Sequence, residues 1–162
     1  MSIKEKEYLE LIKLHQALIY KVAAVYTNDL EDKKDLVQEI YFQIWKSYDT
    51  FQGQSKISTW FYRICMNTSI QYLKKKNRTI QQGPLERLSV EHYEDFSDKN
   101  DQPLQNLLAS IQNLNELDKG IVLLYLESRS HKEIAEIIGI SVSNVGTRFM
   151  RIKDKLKKMN NL

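Results

Sequence analysis

The sequence predicts an all-α protein built as two small helical domains joined by a flexible linker. Three observations carry this. Glycine and proline are scarce, 5 and 2 in 162 residues, too few for the many tight turns of a β protein. Apolar residues make up 42% of the chain and recur at helical spacing. Between residues 77 and 103 that periodicity stops, over a stretch too long for an ordinary connection inside one compact domain.

In the first module, residues 1–76, Leu9, Ile12, Ile19, Val22, Ala23 and Tyr26 give a helix over about 4–26. Asn28 and Asp29 are turn and N-cap residues, and Glu31 and Asp32 follow in the next turn, where the helix dipole favours acids. The second helix buries Leu36, Val37, Ile40, Tyr41, Ile44, Trp45 and Tyr48. Gly53 and Ser55 mark a loop, and a third helix runs from about Ser58 to Lys76 on Phe61, Ile64, Ile70 and Leu73. The linker, 77–103, holds Gly83, Pro84 and Pro103 among acids, amides and serines.

The second module, 104–162, opens on a helix with Leu107, Leu108, Ile111 and Leu114 along one face. A helix over about Asp118–Glu127 follows. Ser130 with Glu133 then forms a capping box in front of Ile134, Ala135, Ile137 and Ile138. Gly139 stands where a left-handed C-cap is needed, and Ser141 caps a last helix that turns Val142, Val145, Phe149, Ile152 and Leu156 inward. Two short capped helices around a glycine turn, with small Ala135 at their crossing, predict a helix-turn-helix; a plain helical hairpin is the competing reading. Its second helix presents Ser143, Asn144, Thr147, Arg148 and Arg151 outward. Asn and Arg can pair bidentately with adenine and guanine edges, while Ser141, Ser143 and the helix N-terminus suit phosphate. Lys153, Lys155 and Lys157 fit phosphate contacts and plain solubilising charge equally well.

The net charge of +3 says little, but its distribution says more. Lys74, Lys75, Lys76 and Arg78 form one basic run, and Arg148 to Lys158 a second. Between them lie Glu86, Glu91, Glu94, Asp95, Asp98 and Asp101, which suggests two polyanion contacts around a segment that avoids polyanions; a plain solvated helix face for each run is the competing reading, and the one that charge alone favours. Cys65 stands alone, so no internal disulfide forms, and a buried thiol in a reducing compartment is expected. His15, His92 and His131 are scattered, so neither a metal nor a cofactor is expected. The polar first ten residues and the lack of a long apolar run exclude a signal peptide and a membrane helix, which predicts a cytoplasmic protein. No clustered catalytic carboxylates, glycine-rich phosphate loop or activated nucleophile pair is present, so no enzyme is expected.

Asp35-Leu36-Val37-Gln38-Glu39-Ile40-Tyr41 with Trp45 resembles the polymerase-binding motif of RNA polymerase sigma factors of the extracytoplasmic-function group. Phe51-Gln52-Gly53-Gln54-Ser55 with Ser58-Thr59-Trp60-Phe61-Tyr62-Arg63-Ile64 and Asn67 resembles their promoter-melting segment. Glu133-Ile134-Ala135 with Gly139-Ile140-Ser141, then Val145, Arg148 and Arg151, resembles their downstream helix-turn-helix. The resemblance spans about residues 8–158, with the motifs in order.

It implies a protein that binds core polymerase through the clamp helices of the largest subunit and the β flap, and that engages promoter DNA. Asp35, Gln38 and Glu39 would touch polymerase; with Phe42 they share one helical face by spacing. Gln54, Lys56 and Thr59 would meet the −10 element together with Trp60, Arg63 and Asn67. Those last three also share a face, suited to holding unpaired bases, although Trp60 as plain core is a serious competitor. Ser141, Ser143, Asn144, Thr147, Arg148 and Arg151 would meet the −35 element. The linker would thread the polymerase channel. An anti-sigma protein is the expected inhibitor, and in the free chain the modules would be loosely tethered. The chain departs from the family at Leu114-Asn115, where many relatives have Leu-Pro, and at Gly146, where many carry a base. It ends soon after the last helix, so no further regulatory domain is expected. A stand-alone helix-turn-helix regulator is the alternative reading.

Overall fold

The structure, a computed structural model, describes residues 1–82 and 102–160 apart from residues 52, 54 and 55. Every regular element among the described residues is a helix: α1 (Ile3–Tyr26), α2 (Leu30–Tyr48), α3 (Ile57–Gln82), α4 (Gln102–Gln112), α5 (Glu116–Leu126), α6 (His131–Ile138) and α7 (Val142–Asn160). Most of the expected linker lies outside the described residues.

Helix starts follow local capping chemistry. The Ser2 hydroxyl and Glu5 carboxylate form a reciprocal capping box on α1. Asp29 accepts the Asp32 amide at 2.8 Å ahead of α2, and Asn115 accepts the Asp118 amide at 2.9 Å ahead of α5. Helix α3 continues six residues past the expected Lys76 end. The loss of apolar period there removes core contacts but no helix former, and the first true breakers are Gly83 and Pro84.

Helices α1, α2 and α3 form one bundle and α4 to α7 another. Contrary to the expectation of loosely tethered modules, the two bundles share one continuous core. Helix α3 packs on α5 and α6, and α1 on α4 and α5. At the joint, fully buried Tyr26 donates its hydroxyl to the Glu116 carbonyl at 2.7 Å. Gln112 Nε2 donates to the carbonyls of Ala24 (3.1 Å) and Thr27 (3.4 Å). Gly120 is buried against Tyr26 and Met66, and a Cβ there would come within 3.1 Å of the Tyr26 hydroxyl. Tyr26, Tyr62 and Met66 lie buried where the bundles meet, against Glu116, Arg129 and Gly120 respectively. Each gains on the order of 2 kcal/mol from burial. Cys65 is buried, and burial raises its thiol pKa, so it stays protonated and inert.

Candidate nucleic-acid and partner interfaces

Helices α6 and α7 build the helix-turn-helix from the residues expected. The Glu133 amide donates to Ser130 Oγ at 3.1 Å, and the Ser130 amide returns to the Glu133 carboxylate at 3.3 Å. That backbone bond, with the Ser130 hydroxyl and then Arg129, holds the Glu133 carboxyl below its ordinary pKa. Gly139 sits at φ 86°, ψ 36°, and its amide bonds the Ala135 carbonyl at 2.8 Å; a side-chain-bearing residue would be strained there. Ser141 Oγ accepts the Asn144 amide at 3.0 Å, starting α7. Val145 and Ile152 are buried, which aims the opposite stripe of α7 outward.

That stripe carries Ser143, Asn144, Thr147 and Arg151, all exposed, with Ser141 at its N-terminal end. Arg148 is not free among them. Its Nη1 lies 3.3 Å from Asp118 Oδ1 on α5 and its Nε is buried, so it ties α7 to its own module. Sequence reasoning missed Met150, which is 71% exposed beside Thr147 and Arg151. Its spacing from Ser143 and Thr147 (i, i+4, i+7) was the available signal. An exposed thioether there can meet a thymine methyl in a major groove. Gly146 has no packing reason to be glycine, because a Cβ would find only His131 Nδ1, at 3.9 Å. Lys153 leans over the Phe149 ring at 5.5 Å.

In the first module, burial of Leu36, Val37, Ile40 and Ile44 turns Asp35, Gln38, Glu39 and Phe42 to the surface of α2, as spacing predicted. Phe42 is 55% exposed, an aromatic placed as a binding anchor would be. The expected promoter-melting residues are dispersed. Gln54 lies outside the described residues, and Lys56 is exposed. Thr59 is buried in the first turn of α3, with no side-chain surface to offer. Trp60 is half-buried, with Phe51 at 5.2 Å and Tyr48 at 6.4 Å between ring centroids. Arg63 donates through Nη2 to the Glu136 carbonyl of α6 at 3.0 Å. Asn67 is exposed and lines a groove against α2. Trp60, Arg63 and Asn67 therefore do not form one open face here, because local aromatics pack on the first and the second is hydrogen-bonded to α6. The basic run is also partly spent inside the fold, with Lys76 paired to Asp32.

Residues 11–79 match the family described as Sigma-70 region 2, and residues 104–156 match Sigma-70, region 4. The chain is 32% identical over 151 residues to an ECF RNA polymerase sigma-E factor of Haemophilus influenzae, covering 85% of this chain and 80% of that protein. It is 31% identical over 143 residues to RNA polymerase sigma factor SigV of Bacillus subtilis, covering 85% and 81%. In fold it is similar to the sigma factor RpoE of Bartonella quintana, crystallised with the anti-sigma factor NepR, with a TM-score of 0.76 at 19% identity over 97% of this chain and 98% of that one. It is also similar to CnrH in complex with the cytosolic domain of CnrY, with a TM-score of 0.70 at 18% identity over 97% and 89%.

Proposed function

Because the chain belongs to the extracytoplasmic-function (ECF) sigma factors, we propose that its two modules bind different parts of one promoter complex. Residues 1–76 hold core polymerase and the −10 element, and residues 104–162 read the −35 element. As a sigma factor the protein directs core RNA polymerase to promoter DNA for transcription initiation. The observation that carries this division of labour is the placement of two exposed polar faces on separate bundles. Asp35, Gln38, Glu39 and Phe42 stand on α2, and Ser141, Ser143, Asn144, Thr147 and Arg151 on the leading half of α7. Lys56, Trp60 and Arg63 complete the −10 contact once α6 has moved off α3.

That movement is required by size. The two promoter elements lie about 25 base pairs apart, roughly 85 Å of duplex at about 3.4 Å per base pair. A compact chain of this length has a radius of gyration of only about 15 Å. The closed molecule cannot touch both elements, whereas residues 83–101, fully extended, reach at most roughly 65 Å between the modules. Core polymerase holds the modules apart, and tethering then lets two weak DNA contacts act as one strong one. The cycle is one of binding without covalent chemistry, and the protein works in the cytoplasm; no helix among the described residues is long and apolar enough to cross a membrane. The RpoE and CnrH complexes with NepR and CnrY support an anti-sigma protein as the inhibitory partner of this chain as well.

Runoff transcription with bacterial core polymerase on pooled promoter fragments tests this reading. Specific transcripts should require the protein and vanish with Asp35→Ala/Glu39→Ala. Sequence-specific DNA binding by the protein alone, with no transcripts under any condition, would refute it.

A further inference from the structure

Gly146 leaves a bare patch in the leading half of α7, between exposed Asn144 and exposed Thr147. Glycine weakens a helix interior, and no packing demands it here. The atom that a Cβ at this position would meet is His131 Nδ1, at 3.9 Å. The imidazole, carried on the first residue of α6, therefore overlooks the bare patch from the neighbouring helix. Aromatic packing sets its orientation. The His131 ring meets the Phe149 ring at 5.5 Å in a T-shaped contact, and Tyr125 backs Phe149 at 4.4 Å. The imidazole is half-buried, and its nitrogens bond to none of the described residues.

We infer that His131 is a phosphate contact at the −35 element, and that Gly146 is bare so that the DNA backbone can reach the imidazole. The inference rests on the reading that α7 enters the major groove there, and it adds a contact from α6. Position selects backbone over base. Asn144, Thr147 and Arg151 stand on the helix that enters the groove. His131 stands on its partner, the helix of a helix-turn-helix that crosses the strand backbone. Chemistry fits the same target. An imidazole N–H donates to a phosphate oxygen, and a ring already stacked on Phe149 gives up little side-chain freedom in doing so. The acid in the same turn, Glu133, does not oppose an anion, because its carboxylate is held in the Ser130 capping box and lies 3.3 Å from Arg129. Lys132 stands exposed next to His131 and adds attraction at this end of α6. A bulky side chain at position 146 would stand between the imidazole and the backbone. The competing role for His131, an apolar lid on Phe149, needs only the ring and not its nitrogens.

The test uses holoenzyme and a duplex carrying the −35 element of a promoter recovered by runoff transcription. Each phosphate along the element is replaced in turn by a neutral methylphosphonate, and affinity is read by titration. His131→Phe keeps a ring on Phe149 and removes both nitrogens. It should weaken binding by about tenfold, the scale of a hydrogen bond to a charged group, and abolish the methylphosphonate effect at a single phosphate. Gly146→Leu should abolish the effect at that same phosphate with His131 intact. His131→Gln, which restores an N–H donor, should recover part of the loss. Unchanged affinity in His131→Phe overturns the inference. So does a loss of affinity that leaves the methylphosphonate profile as in wild type, which would make His131 a packing residue. Arg151→Ala in the same titration checks the parent reading separately, and should weaken binding while keeping the phosphate effect that depends on His131. If Arg151→Ala and His131→Phe are both silent, the parent reading fails too; if His131→Phe alone is silent, the parent reading stands and this inference falls.

Discussion

Arg148 and Arg151 are one helical turn apart on α7 and look interchangeable as DNA contacts, but their surroundings give them different work. Arg148 reaches Asp118 across a partly buried gap, so its removal leaves an acid short of its partner and loosens α7 from α5. Arg151 stands exposed on the outward stripe. Arg148→Ala should lower unfolding stability by about 1 kcal/mol, the scale of a partly exposed ion pair, as read from urea denaturation. Arg151→Ala should leave the melt unchanged and cost about 1–3 kcal/mol of specific DNA affinity, the scale of one lost base contact. Equal losses of both quantities in both variants would erase the distinction. Gly146 lies on the same helix, where an added Cβ would make only an ordinary van der Waals contact with His131 Nδ1 at 3.9 Å. Gly146→Ala should therefore stabilise the protein by up to about 1 kcal/mol in the same denaturation experiment. A loss of promoter affinity accompanying that gain would mean the position is kept bare for close approach of DNA.

At the scale of elements, the starts of α2, α6 and α7 were legible from sequence through Asp29, Ser130 and Ser141, because a cap is a local hydrogen bond that needs no tertiary partner, whereas the Asn115 cap that starts α5 ahead of the expected Asp118 was not read. Ser130 with Glu133, Gly139 and Ser141 specify the helix-turn-helix on their own, and the structure places all four in those roles. Ser130→Ala should cost about 1 kcal/mol of stability, measured by chemical denaturation, and DNA affinity should fall with it as α6 frays beneath α7. The folded Glu133 carboxyl has a lowered pKa, so this contribution is present above the ordinary glutamate range and is lost as pH falls through the folded value. What sequence periodicity could not show was occupancy of surfaces by distant parts of the chain. Spacing put Trp60, Arg63 and Asn67 on one side of α3, but it carries no information that Phe51 would pack on the first or that Glu136 would engage the second. The α2 face was legible because Leu36, Val37, Ile40 and Ile44 fix which side is buried. The end of α3 was not, because a polar helix without apolar period reads as a loop until a breaker appears.

For the whole molecule, the decisive feature is the joint between the bundles, and its chemistry makes closure sensitive to pH. Lys119 is buried there, 5.7 Å from the centre of the Tyr26 ring. Burial pushes its pKa down to about 8 from an ordinary 10.5, with Glu116 offsetting part of the effect. The Tyr26 phenol is itself pushed well up by burial, so it stays neutral throughout this range. Opening the joint returns Lys119 to water and to its ordinary pKa, so between about pH 8 and 10.5 the open form binds more protons than the closed one. The closed-to-open ratio should be flat below about pH 8 and rise as pH increases through that window. Energy transfer between dyes on α2 and α7 reads this ratio directly. Efficiency should climb from pH 8 to 10 in the wild type. Lys119→Met keeps the stem and removes the buried charge, so it should be more closed at pH 7.5 and insensitive to pH. Gly120→Val, which crowds the Tyr26 hydroxyl, should move the equilibrium the other way and speed association with core polymerase, since the opening step is then partly complete. A wild-type transfer signal that stays flat across the window would mean that Lys119 is equally buried in both states, and that the bundles part along some other surface than the one between Tyr26 and α5.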